Sequence, residues 1–164
     1  MVKKLENAKN KTYNLQEIKQ KLEYYCVYQE RCFKEIDQKL NSFFLIPVAK
    51  EEILIHLIEN NYVNEERFAC SFTRGKHNYK NWGRNRIKTE LKHRDISSRI
   101  IEIALKEIDN ECYIEKFNSL ADKHWETIKE KSGAKKNKKF IDYFLRRGFE
   151  TNLIYEKLNE LNKD

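Results

Sequence analysis

Proline occurs once and glycine four times in 164 residues, where average usage of the two together is roughly 12%. Turn-rich β-sandwiches, barrels and glycine-loop nucleotide folds draw heavily on both residues, so the chain is unlike any of them. No apolar run approaches the length of a membrane span. The opening Met1-Val2-Lys3-Lys4-Leu5-Glu6 lacks the apolar stretch of a secretory signal, and a cytoplasmic protein without membrane contact is expected. Cys26, Cys32, Cys70 and Cys112 form no C-x-x-C pair, so the four are expected as reduced thiols packed as small hydrophobes.

Enzyme signatures are equally scarce. There is no Walker A loop and no G-x-S-x-G elbow. His93-Arg94-Asp95 copies the kinase catalytic tripeptide, but neither a glycine-rich loop nor a D-F-G accompanies it. Asp95-Ile96-Ser97-Ser98 reads instead as a connector between helices. His56 and Glu59 share a helix face, yet H-E-x-x-H and a third ligand are missing. No catalytic residue, metal ligand set or cofactor is expected.

What the chain does have is charge in helical rhythm. Charged residues make up 36% and the hydrophobic set 40%, which suits amphipathic helices with wide wetted faces. After a basic tail over 1–13, Asn14 and Glu17 stand in capping-box positions before Leu15, Ile18, Leu22, Tyr25 and Cys26. Phe33, Ile36, Leu40 and Phe43 mark a second helix, and Pro47 opens a third carrying Ile53, Leu54, Leu57 and Ile58. Asn64 with Glu65 and Glu66 starts a fourth, whose buried side is expected at Phe68, Ala69, Phe72 and Tyr79. Trp82-Gly83 breaks the chain before a fifth with Ile87 and Leu91. Ser97 caps a sixth with Ile101, Ala104 and Ile108. Tyr113, Phe117, Ala121 and Trp125 belong to a seventh. A basic joint around Ser132-Gly133 precedes two more, with Ile141, Phe144 and Leu145, then Leu153, Ile154, Leu158 and Leu161.

These nine helices fall into a repeat. Leu40, Leu91 and Leu145 are expected as equivalent buried anchors, each followed by a connector ending in Ile46, Ile96 or Phe149. Leu54, Ile101 and Ile154 anchor the next helix. The expected fold is all-α: three tandem three-helix repeats over 14–62, 63–109 and 110–164, stacked into an elongated, curved, solenoid-like domain.

Thirty-three Lys and Arg against 26 Asp and Glu leave a net +7, which points to an acidic partner, nucleic acid or a nucleoprotein first. Ten of the basic residues lie between Arg67 and Arg99, opposed only by Glu90 and Asp95. Arg84, Lys88 and Lys92 are four apart and form one row, expected to face solvent because Ile87 and Leu91 fill the core side. Tyr79 and Trp82 flank the row and are expected to pack. A second basic run comprises Lys135, Lys136, Lys138, Lys139, Arg146 and Arg147.

The stretch Tyr62-Val63-Asn64-Glu65-Glu66-Arg67-Phe68-Ala69-x-x-Phe72, with Trp82-Gly83-x-x-x-Ile87-x-x-Glu90-Leu91-x-x-x-x-Ile96, closely resembles the RecX family of bacterial RecA regulators. Tyr25-Cys26, Gln29-Glu30-Arg31, Lys39-Leu40 and Phe144-Leu145-x-x-Gly148-Phe149 extend the likeness, and in flavour it is similar to a Bacteroidetes-type member. One departure is Phe44 to Pro47, where the family's commoner lysine-glycine turn is replaced. The resemblance implies tandem three-helix repeats and a monomeric, non-enzymatic modulator binding the RecA–single-stranded DNA filament. Such a protein restrains filament growth, ATP hydrolysis, strand exchange and co-protease activity, and meets single-stranded DNA through the filament. The contact residues expected on that reading are Arg74, Lys76, Lys80, Arg84, Arg86, Lys88 and Lys92. A direct duplex-binding protein using the helix after Gly83, and a helical adaptor for another protein, are the alternatives.

Overall fold

The computed structural model describes residues 13–131 and 133–163. The basic tail up to residue 12, and Ser132 of the basic joint, lie outside the described residues. Among the described residues there are nine α-helices and no strand. The chain divides into two compact units, the first ending at Val63 and the second beginning at Asn64.

The first unit holds α1 (Leu15–Tyr28), α2 (Phe33–Asn41) and α3 (Pro47–Glu59). Asn14 closes the reciprocal cap at the head of α1: its side chain accepts from the Glu17 N–H at 2.8 Å, and the Glu17 carboxylate accepts from the Asn14 N–H at 3.1 Å. Two of the donors that a helix start leaves bare are thereby satisfied. Ile18, Leu22 and Cys26 of α1 meet Ile36 and Leu40 of α2 and Ile53 and Leu57 of α3, with Val63 closing the core. Each fully buried Leu or Ile contributes about 1.5–3 kcal/mol, so this aliphatic cluster, not helix propensity, holds the unit.

The second unit holds α4 (Glu65–Lys80), α5 (Arg84–Lys92), α6 (Ser98–Leu105), α7 (Asn110–Thr127), α8 (Ala134–Arg147) and α9 (Thr151–Leu161). Asn64, Ser97 and Asp109 cap α4, α6 and α7 through side-chain oxygens. Its core changes character along the chain. Ile87, Leu91 and Ile101 are aliphatic, whereas Phe117, Phe140, Phe144 and Phe149 form an aromatic cluster with ring centroids 4.9–5.6 Å apart.

The repeat is present, but its register differs from the expected one. Leu40 and Leu91 are buried, while Leu145 is 46% exposed and Phe144 takes the buried place. Likewise Ile46 is exposed and Leu45 packs on the core, and Ile53 is fully buried where Leu54 is only partly so. With Phe144 in place the spacing becomes uniform. Ile36, Leu40 and Leu45 recur 51 positions on as Ile87, Leu91 and Ile96, and 53 further on as Phe140, Phe144 and Phe149. The same backbone bond closes two of these copies, from Ile96 N–H to Leu91 C=O at 3.2 Å and from Phe149 N–H to Phe144 C=O at 3.1 Å. Phe140 and Phe144, four apart, define the inner face of α8; Leu145 lies about 100° round from Phe144.

Two further expectations are corrected. In α4 the inner face runs through Phe68, Ala69, Thr73 and His77, so Tyr79 does not pack and is 85% exposed. These inner positions mirror α1, since Ala69, Thr73 and His77 follow Ile18, Leu22 and Cys26 by 51 residues. Apolarity hid the match, because a polar Thr and His fill sites that α1 gives to Leu and Cys. Finally, Cys26 and Cys32 are buried and Cys70 half-buried, but Cys112 is exposed.

Candidate functional site

α5 carries the basic row, and its position is set by a close backbone crossing. Gly83, the residue before α5, lies so near the end of α8 that a Cβ on it would stand 2.3 Å from the Gly148 carbonyl oxygen. Reciprocally, a Cβ on Gly148, at φ +80°, would stand 2.3 Å from the Arg86 nitrogen. The crossing lets Gly83 N–H donate to the Arg147 carbonyl at 2.8 Å and Asn85 N–H to the Gly148 carbonyl at 3.0 Å. Bare donors at the start of α5 thus meet bare acceptors at the end of α8, and the opposed ends of the two helix dipoles attract.

Tyr113 of α7 fastens the same joint. Its hydroxyl donates to Glu150 at 2.5 Å and accepts from the Arg84 N–H at 3.3 Å. Burial, reinforced by the Glu150 carboxylate, pushes this phenol well above the usual range. His77 packs against the Tyr113 ring at 5.4 Å, and its Nδ1 lies 3.0 Å from the Trp82 carbonyl, where it donates. Burial holds that imidazole below its usual range, and Lys116 and Arg84 add to the effect. The Lys116 ammonium donates to the His77 and Asn78 carbonyls at 2.7 and 3.0 Å, closing the last turn of α4.

Against this frame the seven expected contact residues separate. Arg84 is half-buried, with its guanidinium 4.2 Å from the Tyr113 ring centre while donating to the Ile108 carbonyl at 3.1 Å and to Asn110 at 3.2 Å. The row is therefore not solvent-facing at its first position. Arg86 stacks on Trp82 at 4.0 Å and donates to the Arg146 carbonyl at 3.0 Å. Lys76 sits over both Phe72 and Trp82, and Arg74 pairs with Glu107. Trp82 packs, as expected of it, edge-on to Phe72. Lys80, Lys88 and Lys92 are exposed. Lys88 and Lys92, one turn apart on α5, present two neighbouring ammonium groups that can meet successive phosphates.

The second basic run divides in the same way. Lys136 lies 3.9 Å from the Trp125 ring centre, Arg147 3.8 Å from that of Tyr143, and Lys139 pairs with Glu130. Lys135 and Lys138 are exposed. Among the described residues no group of three or more His, Cys, Asp or Glu is placed to hold a metal ion, and no helix is long and apolar enough to cross a membrane. His93-Arg94-Asp95 is the α5–α6 connector, with Asp95 in the left-handed conformation at φ +62°. Sequence reasoning missed Tyr113, Glu150 and His77 as members of one joint. The available signal was the pairing of two of only four glycines with helix ends.

Comparison with known proteins finds likeness along most of the chain. The second three-helix domain of RecX matches residues 64–105, and the third matches residues 111–158. The regulatory protein RecX of Clostridioides difficile is 28% identical over 154 residues, covering 94% of this chain and 68% of that protein. That of Bacillus cytotoxicus is 25% identical over 140 residues, covering 85% of this chain. The chain spans about half the length of the Bacillus relatives it matches, 52% for this one. Among solved structures, RecX from Lactobacillus salivarius superposes with a TM-score of 0.77 at 27% identity, covering 92% of this chain and 97% of that one. A second crystal structure of a regulatory protein RecX, 21% identical, shares the fold at a TM-score of 0.77 and covers 88% of this chain and 73% of that one.

Proposed function

The chain belongs to the RecX family, and on that premise we propose that it regulates the RecA recombinase by binding along the RecA–single-stranded DNA filament. Bound there, it restrains filament extension or promotes loss of protomers, and so lowers ATP hydrolysis, strand exchange and co-protease activity. It works by binding alone. The observation that supports this reading is the pair of family domains over 64–105 and 111–158, the first of which carries exposed Lys88 and Lys92 on α5.

The physical logic follows from the joint. α5 is held at its N-terminal end by Gly83, Gly148 and Tyr113, so its two exposed lysines are presented from a rigid element rather than a loop. A preorganised pair of charges loses little conformational freedom on meeting a phosphate backbone. Filament disassembly, followed with cognate RecA on single-stranded DNA, tests the reading: added protein should shorten filaments and reduce ATP turnover in proportion. Unchanged filaments with tight binding to bare duplex would point instead to a direct DNA-binding protein.

A further inference from the structure

Among the described residues, eight of the eleven exposed large apolar side chains belong to the first unit: Tyr24, Val27, Tyr28, Phe44, Ile46, Val48, Ile55 and Ile58. Charge is divided the opposite way. Residues 14–63 carry six Lys or Arg against eight Asp or Glu, a net −2, while residues 64–164 carry 23 against 17, a net +6. The basic surface and the apolar surface therefore belong to different units.

Phe44 is the most unusual of these residues. It stands in the left-handed conformation at φ +53° with 94% of its surface exposed. Its counterparts in the later repeats, 51 positions on and then 53 further, are Asp95 and Gly148, both also left-handed at φ +62° and +80°. The three share the local bond that closes the second helix of each repeat, from Phe44 N–H to Asn41 C=O, Asp95 N–H to Lys92 C=O and Gly148 N–H to Leu145 C=O. Glycine takes this conformation freely and Asp tolerates it, but a bulky side chain is penalised there. Among the described residues a phenylalanine at this position gains neither backbone ease nor burial.

The neighbouring residues say what kind of partner fits. Ile46, the last residue of the connector that holds Phe44, is exposed, and so is Val48, which begins the outer face of α3. At 100° per residue, Val48, Ile55 and Glu59 fall within about 40° of one another, with Glu51 on one side and Glu52 on the other. All five are exposed. Two apolar side chains thus lie among carboxylates, of which Glu52 is paired with Lys19 at 2.7 Å while Glu51 and Glu59 are exposed. This arrangement repels a phosphate backbone, and it fits a protein ridge whose apolar centre is flanked by Lys or Arg. Bulky anchors ringed by charge are how such contacts gain both affinity and register.

We propose that the exposed Phe44 and Ile46 of the connector and Val48 and Ile55 of α3, accompanied on α3 by Glu51 and Glu59, dock on the protein component of the filament, leaving the lysines of α5 to the DNA. This rests on the filament reading above and assigns its two chemistries to different units: a recombinase protomer to the first, the polyanion to the second.

Phe44→Gly tests the assignment, because it relieves the left-handed backbone while removing the anchor. Binding of the variant and of wild type is measured on RecA–poly(dT) filaments and on bare poly(dT), with thermal unfolding alongside. The expected result is a fully folded variant that binds filaments at least about tenfold more weakly and bare poly(dT) equally well. Glu51→Lys with Glu59→Lys should weaken filament binding in the same selective way. Wild-type filament binding that Phe44→Gly leaves intact overturns this inference alone. Equal loss on filament and bare poly(dT) also overturns it, because the face would then touch DNA. So does a concentration-dependent wild-type dimer that the variant lacks, since the occupant would be a second copy. If wild type itself fails to bind the filament, the functional reading falls and the inference with it.

Discussion

Gly83→Ala should be among the most damaging single-methyl changes available to this chain. The added Cβ would lie 2.3, 2.4 and 2.5 Å from Gly148 O, Gly148 C and Phe149 N, all backbone atoms. No side-chain rotation relieves such a clash, so the start of α5 must retreat from the end of α8. Overpacking of this kind costs about 1–3 kcal/mol. Retreat also stretches the Gly83–Arg147 and Asn85–Gly148 bonds, each worth about 1 kcal/mol. The sum is about 3–5 kcal/mol, or at least about 12 °C in melting temperature for a unit of this size. Gly75→Ala supplies the control. Gly75 lies within α4, a Cβ there meets nothing within 4 Å, and helix propensity favours Ala by about 1 kcal/mol. Urea and thermal unfolding followed by circular dichroism should move in opposite directions for the two variants. A Gly83→Ala protein within 0.5 kcal/mol of wild type, taking about that value as the surface noise level, would refute the crossing.

Other consequences follow from the same joint. Tyr113→Phe leaves the Glu150 carboxylate and the Arg84 N–H without their shared hydroxyl, and should cost about 1–3 kcal/mol in denaturant titration. Burial holds His77 and His124 below the usual imidazole range, with Lys116 and Arg84 adding to this at His77 and Arg147 at His124. The unfolded chain therefore binds these protons more readily than the folded one. The stability they contribute is complete above about pH 6.5 and is lost as pH falls below it. Unfolding midpoints should drop between about pH 7.5 and about pH 5.5, and His77→Gln should lessen the drop; a flat wild-type profile would show both rings hydrated. Arg84→Ala should destabilise measurably through its lost ring and carbonyl contacts, while Lys88→Ala should stay within about 0.5 kcal/mol of wild type in the same titrations.

Several helix starts were legible because they carry their own chemistry: Asn14, Asn64 and Ser97 accept from bare N–H groups and Pro47 has none to lose. The repeat was legible too, though displaced by one residue at Ile46, Leu54 and Leu145. Adjacent apolar residues such as Phe144 and Leu145 both satisfy a 3–4 rhythm, and only packing decides which turns inward. Buried polar positions escaped because apolarity was the signal used: Thr73 and His77 occupy the core face of α4. At the candidate site the sequence located the basic helix and overstated its free charge. Nothing local to Arg84 announces that Tyr113 and Ile108, more than twenty residues away, hold its guanidinium.

That overstatement has a measurable consequence. In this region the arginines are largely drawn into the structure while three lysines remain outside it: Arg74 pairs with Glu107, Arg84 and Arg86 lie on rings, and Arg94 reaches Glu90 and Phe72. The division has a physical basis, since a planar, weakly hydrated guanidinium stacks and forks to carbonyls, whereas a compact ammonium keeps its water. Each phosphate neutralised on a single strand contributes about −0.7 to the slope of log affinity against log salt. Seven contacts would give a slope of about −5, but Lys80, Lys88 and Lys92 alone give about −2. Fluorescence titration of labelled poly(dT) across a salt series separates the two. Lys88→Gln with Lys92→Gln should remove about two thirds of the slope while leaving helix content unchanged, because neither ammonium belongs to the joint. Arg84→Lys should leave the slope as it is and lower stability instead. A wild-type slope near the larger value, flattened by changing Arg84 or Arg86, would show that these arginines leave their rings for phosphate, and the division between holding and binding charges would be wrong.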